Sequence, residues 1–248
     1  MESCRPPEVI VIGAMKCATT AVHAYLDAHP DIRMSRLKEL NFFNGPERAP
    51  HGESETWWRS GQWHRGVGWY AAQFDDRAPI RGECSPAYTS PTFPEVARRM
   101  ASVAPDVRLV YLVRDPVERA VSQFEHHRRE GTERRTMSEA LLDPDSQYVA
   151  RSRYFSRLQP FLEVFPRAAL RIVVQERLLH QRRREIAALY DHVGAPPYWD
   201  EECHGARHHV GSGNVAIAPA VRRRFWGRVA EDVDRLRGLL GDAIPEWG

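Results

Sequence analysis

Apolar runs of two kinds alternate along the chain. Val9 to Ile12, Val107 to Val113 and Leu170 to Val174 are short and almost continuous, the pattern of strands buried on both faces of a parallel sheet. Ile32 to Met34 and Ile80 to Cys84 read as shorter strands of the same layer. Between them the apolar residues recur every three or four positions. Ala21, Val22, Tyr25 and Leu26 do so from Thr19 to His29, Val96, Ala97, Met100 and Val103 from Phe93 to Ala104, and Tyr154, Phe155, Leu158, Phe161 and Leu162 between Tyr148 and Phe165. A further helix is predicted from Glu176 to about Val193, and an amphipathic one from Pro219 to Leu240. Strands separated by helices predict a three-layer α/β architecture with a central parallel sheet.

The first strand runs into Gly13-Ala14-Met15-Lys16-Cys17-Ala18-Thr19-Thr20, a small-residue turn followed by a helix start. The first N–H groups of a helix have no partner within it and its dipole adds positive potential, so such a turn cradles a phosphate or sulfate. Lys16 adds a full charge at the same place. The turn departs from the triphosphate loop G-x-x-x-x-G-K-[ST], because Ala18 stands where the second glycine belongs and the lysine comes too early. After the 107–113 strand comes Arg114-Asp115-Pro116-Val117-Glu118-Arg119-Ala120-Val121-Ser122. Pro116 suits a first helical turn, where its missing N–H costs nothing, and Ser122 falls about two turns along. Arg114 offers a forked donor to an anion and Ser122 a hydroxyl.

Composition narrows the reading. A chain of 248 residues with 42% hydrophobic content builds one α/β core, so residues 1–248 are expected to form a single domain. A net charge of +2 lacks the basic stripe of a nucleic-acid binder. Cys4, Cys17, Cys84 and Cys203 show neither zinc spacing nor a disulfide framework and read as free thiols of a reducing compartment. The first strand starts by Val9 and no run of about 18 apolar residues occurs, so a cytoplasmic protein without membrane contact is expected. Of 35 basic residues only Lys16 and Lys38 are lysines. One lies in the anion turn and the other beside Glu39, and a compact ammonium can share a proton with a leaving oxygen where a guanidinium cannot.

In this order, the two motifs resemble the G-x-x-K-x-x-T-T loop and the R-D-P-x-E-R-x-x-S segment of sulfotransferases that use 3′-phosphoadenosine 5′-phosphosulfate (PAPS), particularly the heparan sulfate N- and 3-O-sulfotransferases. The resemblance implies their P-loop-like fold, PAPS as donor, 3′-phosphoadenosine 5′-phosphate (PAP) as product, and no metal. It assigns the 5′-phosphosulfate to Lys16 and the N–H groups of Cys17, Ala18, Thr19 and Thr20, and the 3′-phosphate to Arg114 and Ser122. Lys38-Glu39-Leu40-Asn41-Phe42-Phe43 resembles the family's K-E-x-x-F-F segment, which makes Glu39 the expected general base. A carboxylate desolvated by an aromatic pair would suit that task. His126, one turn beyond Ser122 on the same helical face, is a second acid/base or acceptor-positioning candidate.

Toward the acceptor the resemblance is looser. Glu83-Cys84-Ser85-Pro86-Ala87-Tyr88 resembles the family's E-K-[ST]-P-A-Y, with Cys84 in place of the lysine. Cys84 and Tyr88 are expected at the acceptor. Either another cation replaces the lysine, Arg81 being nearest in sequence, or the acceptor is not an anionic polysaccharide. Residues 51–64 look like an insert whose Trp57, Trp58 and Trp63 form an acceptor lid, since aromatic faces suit a sugar or an apolar group; Trp69, Tyr70 and Phe74 read as core. Residues 203–213, rich in Gly and His, lie where the family covers the nucleotide, with Arg207 and His208 as its basic residues. The expected reaction is transfer of the sulfuryl group to a hydroxyl or amine of a small-molecule, natural-product or carbohydrate acceptor. Two other classes stay open: a P-loop kinase or NTPase, and a PAP(S)-binding protein without catalysis, which Cys84 allows.

Overall fold

The computed structural model describes residues 5–48, 61–205 and 217–247. Five strands, β1 (Val9–Gly13), β2 (Ile32–Met34), β3 (Ile80–Cys84), β4 (Arg108–Val113) and β5 (Leu170–Val174), pair in parallel in the order β2-β3-β1-β4-β5. Every residue of β1, and every residue of β4 after Arg108, is buried, which is why these strands carry no polar alternation. Val11 sits opposite Cys84 on one side and Val110 on the other. The chain leaves β1 toward one edge of the sheet and leaves β3 toward the other. That reversal puts a crevice at the carboxyl end of β1, where ligands of open α/β sheets bind.

Helix α1 (Thr19–Asp27) joins β1 to β2, α2 (Gly66–Ala71) precedes β3, and α3 (Val96–Val103) links β3 to β4. Between β4 and β5 lie α4 (Pro116–Arg129), α5 (Met137–Leu142), α6 (Gln147–Ser152) and α7 (Tyr154–Leu162). After β5 come α8 (Gln175–His180), α9 (Arg182–Val193), α10 (Glu201–Gly205) and α11 (Pro219–Leu240). Among the described residues no helix is long and apolar enough to cross a membrane.

Two helices expected to be continuous are broken. The 148–165 segment bends at Arg153 (φ −82°, ψ 74°), and the new helix is capped from far away, the Asp232 carboxylate of α11 accepting the N–H groups of Phe155 (2.7 Å) and Ser156 (2.9 Å). The segment from Glu176 breaks at Gln181 (φ −125°, ψ 39°). Helix α5 is an addition, although its capping box was there to be read: the Thr136 hydroxyl accepts from the Glu139 N–H, and Glu139 accepts in return from the Thr136 N–H at 2.8 Å.

Gly13 ends β1 at φ 151°, and a Cβ there would lie 2.3 Å from the Thr89 hydroxyl and 3.2 Å from the Tyr111 ring. Only glycine lets the turn that follows lie this close to the 3₁₀ turn Pro86–Thr89.

Candidate active site

The turn after β1 is strained in a way that exposes amides. Lys16 (φ 70°) and Ala18 (φ 64°) are both left-handed without being glycine, at roughly 1–2 kcal/mol each. The Cys17 N–H is taken by the Ala14 carbonyl at 3.2 Å. Ala18 begins α1 without a side-chain cap, and the first turn holds no acid, so the amides of Ala18, Thr19 and Thr20 end the helix without an internal partner. Helix α4 makes the contrast. Its first amides are satisfied by Asp115, which accepts from Val117 (2.8 Å) and Glu118 (2.9 Å). One helix start is closed by its own sequence and the other is left open beneath Lys16.

The charges around Lys16 come from α4 and the residues flanking it. Burial pushes its ammonium below its ordinary pKa, the guanidiniums of Arg129, Arg114 and Arg119 lower it further, and Glu130 opposes them. His126 is half-buried and lies 3.3 Å from Glu130. Desolvation lowers its pKa, as do Lys16 and Arg129, while Glu130 and Glu39 raise it, so it is neutral at pH 7. Lys16, Glu39, His126 and Arg114, widely spaced along the chain, thus share one electrostatic neighbourhood. Ser122 is half-buried on the same helix.

Arg114 is held by its backbone. Its carbonyl accepts from the Tyr154 hydroxyl at 2.8 Å, and the next amide, of Asp115, donates to Glu176 at 2.9 Å. Glu176 is structural, since its other oxygen accepts from the Trp247 indole at 3.1 Å. The guanidinium lies 3.9 Å from Glu118, which also pairs with Arg222 of α11. Arg119 is fully buried and donates to Ser152 (2.8 Å), Gln123 (2.8 Å) and the Tyr148 carbonyl (2.9 Å).

Glu39 stands on the lip of the crevice, its side chain 47% exposed and 2.8 Å from Lys38. Its aromatic neighbours do not desolvate it: Phe42 and Phe43 turn inward and are fully buried, Phe42 stacked on Tyr70 at 4.3 Å. The segment holds left-handed Glu39 (φ 61°) and Asn41 (φ 49°) and is fastened from below. Glu39 N–H donates to the Cys84 carbonyl (3.0 Å), Asn41 N–H to the Ser85 hydroxyl (3.1 Å) and Phe42 N–H to the Tyr88 hydroxyl (3.0 Å). Both hydroxyls then donate to Glu83, Ser85 at 3.1 Å and Tyr88 at 2.8 Å, and Tyr70 donates to it at 2.7 Å. Glu83 is fully buried; desolvation raises its pKa to about 7 although all three hydroxyls pull it down. The sequence reading assigned Glu83 no part: Ser85 and Tyr88 lie close to it in the chain, but only folding brings in Tyr70 and hangs the Asn41 and Phe42 amides on the Ser85 and Tyr88 hydroxyls.

The acceptor-side expectations fare differently. Cys84 is fully buried, its thiol donating to the Thr19 carbonyl, and Tyr88 is 1% exposed in the Glu83 network. Neither presents a surface to an acceptor, because the strand end points them into the core. Arg81 cannot stand in for the missing lysine: it is buried, facing Glu8 (3.2 Å), Asp76 (3.3 Å) and the Pro6 carbonyl (2.7 Å). Trp63 is not a free lid face, for its ring packs on Phe42 (5.2 Å), is covered by Arg99 (4.9 Å) and donates to Glu47. Trp57, Trp58, Arg207 and His208 lie outside the described residues.

Burial also governs the thiols. Desolvation pushes Cys17 up to about 11 and Cys84 up to about 12, and neither forms a disulfide. At pH 8 both are expected to react with a thiol reagent at least about a hundredfold more slowly than in urea. Rapid labelling of either in the native protein would refute this burial.

A central parallel five-stranded sheet flanked by helices, its middle strand running into an uncapped helix start beside a lysine, is an α/β fold of the sulfotransferase class. The model of the sulfotransferase family matches residues 7–201, and the chain belongs to that family. Bovine bifunctional heparan sulfate N-deacetylase/N-sulfotransferase 2 is 25% identical across 98% of this chain and 31% of its own length. Mouse heparan sulfate glucosamine 3-O-sulfotransferase 3B1 is 28% identical across 76% of this chain and 46% of its own. The chain therefore spans less than half the length of these relatives. A crystal structure of a sulfotransferase from Alicyclobacillus acidocaldarius superposes with a TM-score of 0.79 at 25% identity, covering 97% of this chain and 98% of that one. Mouse sulfotransferase SULT7A1, solved with PAP, shares the fold at a TM-score of 0.56 and 15% identity over 96% of this chain and 89% of its own.

Proposed function

We propose that this protein moves the sulfuryl group of PAPS to a hydroxyl or amine of a carbohydrate or small-molecule acceptor. The observation that carries the reading is the uncapped start of α1 under the half-buried Lys16, in the electrostatic reach of Arg114. An adenine nucleotide with charged groups at both its 5′ and 3′ positions fits that pair of cation clusters. The amides of Ala18 to Thr20 and Lys16 hold the 5′-phosphosulfate; Arg114 and Ser122 take the 3′-phosphate.

In the reaction the acceptor oxygen or nitrogen attacks sulfur in line, a new S–O or S–N bond forms, and the bond from sulfur to the 5′-phosphate oxygen breaks. Glu39 receives the acceptor's proton. Lys16 and the helix amides stabilise the charge gathering on the leaving phosphate, preorganised electrostatics of the kind that drives phosphoryl transfer. His126, neutral at pH 7, orients the acceptor or shares its proton. Among the described residues no cluster of metal-ligating side chains is present, and the step as written needs none.

Arg114→Ala is expected to weaken PAP binding by about 30- to 1000-fold, the loss of a charge-assisted forked contact, with little change in melting temperature because the side chain is partly exposed. Calorimetric titration with PAP measures it. Equal affinity in wild type and variant would remove the 3′-phosphate assignment. A thermal shift with ATP–Mg²⁺ but none with PAP would point instead to a kinase or NTPase.

A further inference from the structure

Arg151, in the last turn of α6, is an inward-turned guanidinium that nothing in the proposed transfer step uses. Its Nη2 donates to the Ser90 hydroxyl at 3.1 Å, and among the described residues its Nη1 has only the Met15 sulfur, at 3.9 Å. Its Nε is buried without a partner. Among the described residues no carboxylate pairs with it, and the charges it feels, those of Arg119 and Arg157, are also positive. Arg119 is itself satisfied by three neutral acceptors, so this part of the interior holds guanidiniums without counter-charge. Burial and those two neighbours bring the Arg151 pKa down to about 10.

A desolvated cation without an anion is costly, and an apolar side chain of similar volume is commonly neutral or better at such a place. Retaining arginine there makes sense if an anion arrives. Its position says where: Met15 immediately precedes Lys16, and Ser90 follows the turn that packs on Gly13. The donor's own charges have other partners. Arg151 is among the charges felt by His127, on the adjoining face of α4. Its contacts with Met15 and Ser90 set the head beside the donor loop. Ser90 keeps it in place, since that hydroxyl is also tied to Thr92, donating to its hydroxyl at 3.2 Å.

We propose that Arg151 is the seat of a fixed anionic group of the acceptor, a carboxylate or sulfate ester held beside Met15 and Ser90 while the acceptor's nucleophile faces Lys16, Glu39 and His126. This rests on the sulfuryl-transfer reading above. It also gives the chain a cation near the loop although Cys84 and Arg81 are both sealed in the core. The anion supplies the counter-charge that the protein lacks, and a guanidinium binds such planar or tetrahedral oxyanions through two hydrogen bonds at once.

The test uses the full chain saturated with PAP, so that the donor cluster is filled, titrated with sodium sulfate against sodium chloride at constant ionic strength and read by thermal shift. Wild type is expected to be stabilised by sulfate beyond the chloride control. Arg151→Met is expected to bind sulfate at least tenfold more weakly, with unchanged PAP affinity and an equal or higher melting temperature in chloride. Arg151→Lys, which keeps the charge but not the fork, should retain part of the response. A sulfate response identical in wild type and Arg151→Met, or absent from the PAP-saturated wild type, overturns the proposal while leaving the donor site intact. A drop in melting temperature in Arg151→Met with an undiminished sulfate response would make the residue structural. Failure of the wild type to bind PAP would overturn the parent reading, and it is seen before any sulfate is added.

Discussion

Glu39→Gln is expected to lower kcat by about 10²- to 10⁴-fold, the usual worth of a positioned general base, with PAP affinity and melting temperature nearly unchanged. The side chain is 47% exposed and its one ion pair among the described residues, to Lys38, is on the surface, so the substitution removes almost no packing and a pair worth under about 1 kcal/mol. The amide keeps the shape and loses only the ability to take a proton. Its backbone is left-handed at φ 61°, a conformation Gln adopts at much the same cost as Glu. Initial rates at saturating PAPS and acceptor, with PAP titrated separately, separate chemistry from binding. Turnover within about threefold of wild type would remove Glu39 from the proton-transfer step and leave His126, whose imidazole feels both Lys16 and Glu39.

The second large effect belongs to a residue that touches no substrate. Glu83→Ala is expected to destabilise the fold by about 3–5 kcal/mol, because the hydroxyls of Tyr70, Tyr88 and Ser85 lose their shared acceptor inside a closed core. Two of those hydroxyls, of Ser85 and Tyr88, receive the amides of Asn41 and Phe42, so a chain that still folds is expected to show a looser Glu39 segment and a lower kcat. Urea unfolding at pH 7 measures the first part. A change of less than about 1 kcal/mol would mean that the hydroxyls find other acceptors.

Glu83 also sets a pH dependence. Its folded pKa is raised from 4.5 to about 7, so between those values the folded state binds the extra proton. The stabilisation it confers is fully present below about pH 4.5 and is lost as pH rises through about 7, an effect on the order of 3 kcal/mol. Carboxylates with lowered pKa values work in the opposite direction at more acid pH, Glu133 being held down to about 2 chiefly by Arg135. Glu83→Gln is therefore expected to flatten the stability profile between pH 5 and 8. Its amide matches the hydroxyls imperfectly, because the Ser85 oxygen already accepts from Asn41 and would have to accept again.

The site is legible in the sequence where its chemistry is local. The loop from Gly13 to Thr20 and the segment from Arg114 to Ser122 each carry strand, turn and helix start within about a dozen residues, and both fall at strand ends of one sheet. Strand Ile32–Met34 and helix Pro219–Leu240 have the bounds the hydrophobic pattern predicts. The acceptor side is less legible. Arg81 reads as a spare cation until Glu8, 73 positions away, takes it, and Trp63 reads as a lid until Phe42 and Arg99 close over it. Arg151 looks like one arginine among many in a polar run, and only Met15 and Ser90, brought alongside, make it a cation without an anion.

The sequence by itself determined the alternation of strands and helices, the glycine-limited anion turn and the capped Arg–Ser helix, because periodicity, capping and turn chemistry act between residues a few positions apart. Only the tertiary structure decided which charges remain available. It neutralised Arg81, sealed Cys84 and Tyr88, buried Glu83 among three hydroxyls and, among the described residues, left Arg151 without a carboxylate. Burial and ion pairing are settled between segments far apart in the chain, and whether a side chain reacts, binds or merely packs depends on what those segments bring to it.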